Sequence, residues 1–261
     1  MKWIRGLESS PSGLKAFVDE HPQEREWSVF RDHNGGASLG ELMDSLVCAQ
    51  HGLCCYCEID LVEGDRQVEH YHPKSDKNSQ LNHTTDYHNL MAACCGGTQK
   101  NIWGPQTQSL DEDRYKEPVR KNQSCGQAKG EHKPDAPGEI ILDPRMFPKM
   151  PSIVYVSSLE GEMKVNKVAC QQYSFDPKQV EETIKLLGLN CPRLKGARKK
   201  RWKNLEEVTK DKVKDSNFLR KFAHKELQLK EGGRLQRFFT TTRTFFGREA
   251  ERVLAENAEW M

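Results

Sequence analysis

The chain has 261 residues, 36% of them hydrophobic and 30% charged, with a formal net charge of +2. That length suits one large domain or two small ones, with a modest core under much solvated surface. No stretch approaches the roughly 20 apolar residues that a membrane span needs, and the opening Met1-Lys2-Trp3-Ile4-Arg5-Gly6 lacks the apolar centre of a secretory signal; no membrane partner and a cytoplasmic location are expected.

In chain order, a short helix is expected near Leu14 and Phe17, stopped by Pro22. A stronger one starts at Ser38, where Ser38 and Glu41 have the spacing of a capping box. Leu39, Leu42, Met43, Leu46 and Val47 give it one apolar face, and Gly52 fits its stop. It delivers the chain into Cys54. Residues 56–61 and 66–71 read as the two strands of a hairpin turning at Glu63-Gly64-Asp65, with His70 on the second strand. Residues 89–93 read as a loop turning into a helix. Residues 96–131, rich in Gly, Gln, Asn, Lys and Asp, read as a long insert, partly mobile, that a metal ligand at its end would tie down.

Strands return at 139–142, and a second hairpin is expected from 152–156 and 163–168 around Glu160-Gly161-Glu162. Asp176 and Pro177 then form a helix start. Val180, Ile184 and Leu187 line one face of that helix, and Gly188 ends it. Further helices are expected around Trp202, Leu205 and Val208, around Phe218, Phe222 and Leu229 up to Gly232-Gly233, and from Glu249 to Trp260. The three parts so drawn are an N-terminal helical segment (1–52), a core with a long insert (53–170) and a C-terminal helical region (171–261) offering a DNA or partner surface. Between Arg193 and Lys203 stand seven basic side chains. They can track phosphates or form a solvated helix face.

Nine cysteines, an odd number, are clustered. Without an export signal, that pattern favours metal ligation over disulfides. Cys54 and Cys57 have the Cys-x-x-Cys spacing that lets two thiolates grip one tetrahedral ion. The second pair comes from Cys94 or Cys95, and from Cys125. Gly97 stands where the fourth sulfur of a second tight pair would be, so Cys125, returned by the insert, is the fourth ligand of a structural Zn²⁺. Cys48, Cys170 and Cys191 lie outside the clusters and read as packing residues.

Val68-Glu69-His70, then Pro73-Lys74, then Asn89-Leu90, then a cysteine and Lys129-Gly130, resemble the HNH endonuclease superfamily with its ββα-metal motif. The likeness is greatest to the branch found in Septu and retron antiphage systems, the PtuB-like proteins. It runs through residues 53–58, 69–75, 141–144 and 187–195 and covers roughly the first 200 residues. The resemblance implies an α+β fold: a ββα-metal core with a structural zinc, set between mainly helical segments. It implies a metal-dependent DNA endonuclease that is the effector of an antiphage system. Its partners would be DNA, a PtuA-like ATPase, and a retron reverse transcriptase with its ncDNA.

His70 fits the general base, since imidazole titrates near working pH. Glu69 would point to the other strand face or bend to ligate Mg²⁺ or Mn²⁺. Asn89 would bond the hairpin backbone and fix the His70 loop. The family's third position falls near Lys129, a lysine that suits a phosphate better than a metal, with His132 able to supply a ligand one turn later. His72 and His88 are alternates. Two other readings of the same residues stay open: a zinc-stapled nucleic-acid-binding adaptor with an impaired site, and an RNase.

Overall fold

The computed structural model describes residues 1–76, 81–97, 113–114 and 119–261. Helix α1 (Ser12–Glu20) buries Leu14 and Phe17. A short α2 (Trp27–Asp32), which the sequence did not announce, buries Phe30. Helix α3 (Ala37–Ala49) turns Leu42, Met43, Leu46 and Val47 inward. The expected capping box does not form. Ser38 already lies inside α3 and its hydroxyl meets the His33 ring at 2.8 Å. Glu41 instead reaches across to α1 and accepts from the Gly13 N–H and the Ser12 hydroxyl, both at 2.7 Å. It satisfies the free donors at the start of a neighbouring helix rather than its own. Gly52 does close α3, its N–H donating to the Val47 carbonyl at 2.8 Å.

The first hairpin is not the expected one. Residues 53–61 form a tight knuckle in which Cys54 N–H donates to Ile59 O at 2.9 Å and Leu61 N–H to Gly52 O at 2.8 Å. Only Leu53 and Asp60 bridge. The strands that pair are β1 (Gln67–His70) and β2 (Leu90–Ala93), antiparallel, with His70 opposite Leu90. Residues 90–93 therefore form a strand, not the start of a helix. All four are buried, and a short apolar run without alternation reads alike as buried strand or buried helix.

The insert expected over 96–131 falls largely outside the described residues. It returns in a short helix, α4 (Cys125–Lys129), whose Cys125 N–H donates to Leu187 O at 2.8 Å. Two small antiparallel pairs follow: β3 (Asp135–Ala136) with β4 (Glu139–Ile140), and β5 (Val154–Val156) with β6 (Met163–Val165). The second is the expected hairpin with shorter strands, Lys167 and Val168 already lying in the next helix; the first shortens the strand expected over 139–142.

Helix α5 (Lys167–Gln172) leads to α6 (Pro177–Leu186), capped by Asp176, which accepts from Lys178 N–H at 2.9 Å. Then come α7 (Pro192–Thr209), α8 (Ser216–Leu227), α9 (Phe239–Phe246) and α10 (Arg248–Glu256). The fold is α+β, helical with small antiparallel sheets. One apolar cluster runs from Met1 to Phe238 around the cysteines; a second joins α8, α9 and α10 and takes Leu53 from the knuckle. Among the described residues, no helix is long and apolar enough to cross a membrane.

Candidate metal centre and active site

The knuckle, the end of β2 and the start of α4 meet at four sulfurs. The Sγ atoms of Cys54, Cys57, Cys94 and Cys125 all lie within 4.8 Å of one another. Cys54 and Cys125 stand 3.7 Å apart, Cys57 and Cys94 3.6 Å, and Cys94 and Cys125 3.7 Å. Four thiolates about 2.3 Å from one tetrahedral ion stand about 3.8 Å apart, so this is the spacing of an ion seat. Burial pushes the Cys54 and Cys125 thiols well above their ordinary range; a dry cluster of this kind needs a cation before its sulfurs ionise together.

Cys94 is thereby the third member. Cys95 faces away from the cluster: its N–H donates to Asp65 at 2.9 Å, and burial lifts its thiol to about 12. Gly97 has φ +78°, and a Cβ there would stand 2.2 Å from Arg193 Nε. That position is bare because a guanidinium passes it.

Arg193 and Arg198 are 2% and 1% exposed, so the basic run along α7 is neither one phosphate-tracking stripe nor one solvated face. Arg193 donates to Ser124 Oγ at 2.7 Å and to Asp113 O at 2.9 Å. Desolvation works against its charge, and negative charge on the neighbouring Cys94 and Cys57 sulfurs favours it. Arg198 donates to Leu189 O at 2.7 Å. Arg201 pairs with Glu226, while Lys199, Lys200 and Lys203 are exposed.

Strand β1 carries Glu69 and His70 in succession, and successive side chains point to opposite faces. On one face the Glu69 carboxylate, 6% exposed, accepts from Lys129 Nζ at 2.5 Å and from Tyr56 OH at 3.3 Å. A Cβ on Gly126 would sit 2.3 Å from Glu69 Oε2, so α4 covers that face only because residue 126 has no side chain. Burial raises the Glu69 pKa, and Lys129 works against that rise. Lys129 also donates to the His70 carbonyl.

On the other face His70, 8% exposed, has Nε2 3.0 Å from Thr84 O and its ring edge-on to Trp27 at 4.6 Å. A carbonyl only accepts, so Nε2 carries the proton. Burial depresses the ring pKa to about 4, the Thr84 bond working against the shift and Lys74 and Lys129 adding to it. The imidazole is neutral at pH 7, with its lone pair on Nδ1.

Asn89 opens β2 and is 4% exposed. Its Oδ1 accepts from His72 N–H at 2.7 Å, and its Nδ2 donates to His72 O at 2.9 Å and His83 O at 2.7 Å. It clamps the chain leaving β1 to the chain entering β2. His72 and His83 stack beyond it, centroids 4.9 Å apart. His88 is exposed, its ring tilted 35° against Tyr87 at 4.0 Å. His132 meets Glu139, its Nε2 on the backbone carbonyl at 2.8 Å and its Nδ1 on the carboxylate at 3.4 Å, so it is not drawn to Glu69.

Among the described residues, the four cysteines are the one group of three or more His, Cys, Asp or Glu side chains with ligand atoms close enough to share an ion. Glu69 is engaged by Lys129 and Tyr56, and among the described residues it belongs to no group of three ligand side chains close enough to share an ion. These residues build no seat for the Mg²⁺ or Mn²⁺ that the resemblance implies. Trp27, Thr84 and His83 were missed from the sequence. They come from segments without motif spacing, and only the folded chain brings them to His70.

A four-thiol knot braced by buried arginines lies at one end of the β1–β2 hairpin, and a buried neutral histidine lies at the other. No family model matches the chain. Among curated proteins it is 30% identical over 234 residues to "Retron Ec83 putative HNH endonuclease" of Escherichia coli, covering 85% of each chain. It is 27% identical over 232 residues to "Retron Vc95 putative HNH endonuclease" of Vibrio cholerae serotype O1 biovar El Tor, covering 85% of this chain and 97% of that one. The chain belongs to the HNH endonuclease superfamily.

Proposed function

We propose that the chain is an endonuclease that hydrolyses phosphodiester bonds with His70 as general base, and that it works in a retron-type antiphage system. The observation that carries this reading is the state of His70: neutral, its proton committed to Thr84 O, its Nδ1 lone pair left for water. A ring with so low a pKa is a weak base in the free protein. A phosphate brought alongside adds negative charge and raises it toward working pH.

Cys54, Cys57, Cys94 and Cys125 hold one Zn²⁺, whose chemistry here is structural: four thiolates fill its coordination and leave no open position. Asn89 acts through the backbone as a positioning residue. Lys129 keeps the buried Glu69 neutralised and so holds the β1–α4 contact beneath the histidine. The proposed substrate is DNA, and the proposed partners are a PtuA-like ATPase and a retron reverse transcriptase with its ncDNA. The names of the two relatives support the retron setting.

The test is incubation of the chain, alone and with such an ATPase, with plasmid DNA and with RNA, in the presence and absence of Mg²⁺ or Mn²⁺. Nicking that drops at least 100-fold in His70→Ala, with zinc content unchanged, supports the reading. Binding without cutting under every condition overturns it in favour of an adaptor.

A further inference from the structure

A cleft of about 700 Å³ opens beside His70, between α2 and the chain that enters β2. Its place next to the reacting phosphate follows from the role of His70 as general base. One wall is the Trp27 indole, which also meets the His70 ring edge-on. The opposite wall is the segment from Asn82 to Thr84, laced to the linker before α2: Asn82 Nδ2 donates to Glu24 O at 2.8 Å and Thr84 Oγ1 to Arg25 O at 2.9 Å. Thr84 is the residue whose carbonyl fixes the His70 tautomer. Arg25, Arg31 and Lys74 line the rim, all exposed, and the Lys74 ammonium stands 6.0 Å from the Trp27 ring centre. Glu26 and Asp76 also line it, Asp76 paired with Lys133 at 2.9 Å.

An aromatic plane flanked by cations and set against a catalytic base matches the parts of one nucleotide: a base to stack and phosphates to neutralise. Bases inside a duplex already stack on one another and cannot offer a face to a protein ring without leaving the helix. We infer that this cleft binds an unpaired nucleotide next to the scissile phosphate, its base on Trp27 and its backbone on Arg25, Arg31 and Lys74. The preferred substrate is then a single strand, or a flap or loop within a duplex. Lys74, exposed and loosely placed over the ring, moves aside to the phosphate when the base arrives.

The test uses the full chain with its zinc and measures binding of dye-labelled oligo-dT, oligo-rU and a matched duplex by anisotropy, with strand intactness checked on a denaturing gel. Removing one stacked base contact weakens binding by roughly 5- to 100-fold. Trp27→Ala is expected to lose that much for the single strands, with less than about a twofold change for the duplex, and Trp27→Phe is expected to recover most of it. Equal loss for oligo-dT and oligo-rU marks base stacking; loss for one alone marks a sugar contact in the same cleft.

Because Trp27 also packs against His70 and Phe30, a second reading comes from intact protein: oligo-dT should quench indole emission in the wild type, and Trp27→Phe should remove that quenching. Unchanged single-strand affinity in Trp27→Ala, or identical quenching in wild type and Trp27→Phe, overturns the inference. Cleavage of duplex DNA that needs His70 but is indifferent to Trp27 would sink this inference and leave the nuclease standing. Stacking without cleavage of any substrate would do the reverse.

Discussion

Two adjacent residues on β1 show how far the environment separates similar starting points. Glu69 and His70 are both buried, and burial alone disfavours charge on each. His70 meets this by staying neutral, at a pKa of about 4. If it is the base, the acid limb of kcat/KM, which reports the free enzyme, lies below the pH 6–7 of an ordinary imidazole, while that of kcat lies higher because the bound phosphate raises the ring; a pH–rate profile checks that.

Glu69 instead keeps a cation, Lys129, at 2.5 Å. Removing one member of a buried pair costs about 3–5 kcal/mol, so Lys129→Met is expected to lose that much stability at pH 8. In the variant the folded Glu69 pKa rises further above its unfolded value. A group so raised destabilises most when the pH is high and the carboxylate must ionise, and least when it is protonated. Wild type and variant melting temperatures should therefore converge as pH falls from 8 toward 5. A gap that stays constant would mean that Glu69 is already neutral beside Lys129.

At the scale of elements, one hairpin positions the site, and one side chain closes it. Asn89 makes three bonds to the backbone of His72 and His83. Asn89→Ala strands a buried N–H and two carbonyls, and about 3 kcal/mol of stability should go with them, read by urea unfolding. Cleavage should fall together with it, since the loop behind His70 loosens.

The partners of this hairpin were only half legible in the sequence. Gln67–His70 lies within the strand read there, because the Glu63-Gly64-Asp65 turn and Pro73 bound it. Residues 56–61 looked equally strand-like, yet Tyr56, Cys57 and Ile59 are buried by the turn of a sulfur knuckle, not by a sheet. Leu90–Ala93 is buried on both faces, so it carries no period to read. Asp176 and Pro177, whose chemistry is local, were placed correctly. Glu41 was not, because the helix it caps begins 29 residues earlier, and nothing in its own neighbourhood records that.

For the whole molecule, the sulfur cluster is a junction. Residues from the knuckle, β2 and α4 end there, and α7 lays Arg193 and Arg198 against it. Behind Cys57, Glu58 accepts from Thr240 N–H at 2.7 Å and pairs with the Met1 ammonium at 2.9 Å, so the start of α9 and Met1 both fasten to the knuckle. Stripping the metal should consequently unfold the chain as a unit rather than fray one corner. Cys94→Ser should lose zinc and melt cooperatively at lower temperature, whereas Cys95→Ser should retain about one zinc per chain. Elemental analysis beside calorimetry separates the two, and zinc retained in Cys94→Ser would reassign the ligand. The Cys-x-x-Cys pair and Cys125 were readable from spacing, but the choice between Cys94 and Cys95 was not, since adjacent residues differ only in the direction the backbone turns them.

The fourth sulfur lies 71 residues beyond the first and 31 beyond the third. A ribosome releases the chain from its N-terminus, so three ligands emerge while the last has still to be translated. An ion captured at that stage keeps an exchangeable coordination site, and commitment waits until the intervening segment has been read. A message truncated anywhere within that interval yields a polypeptide that has its histidine yet cannot seal the clasp at the far end of the hairpin.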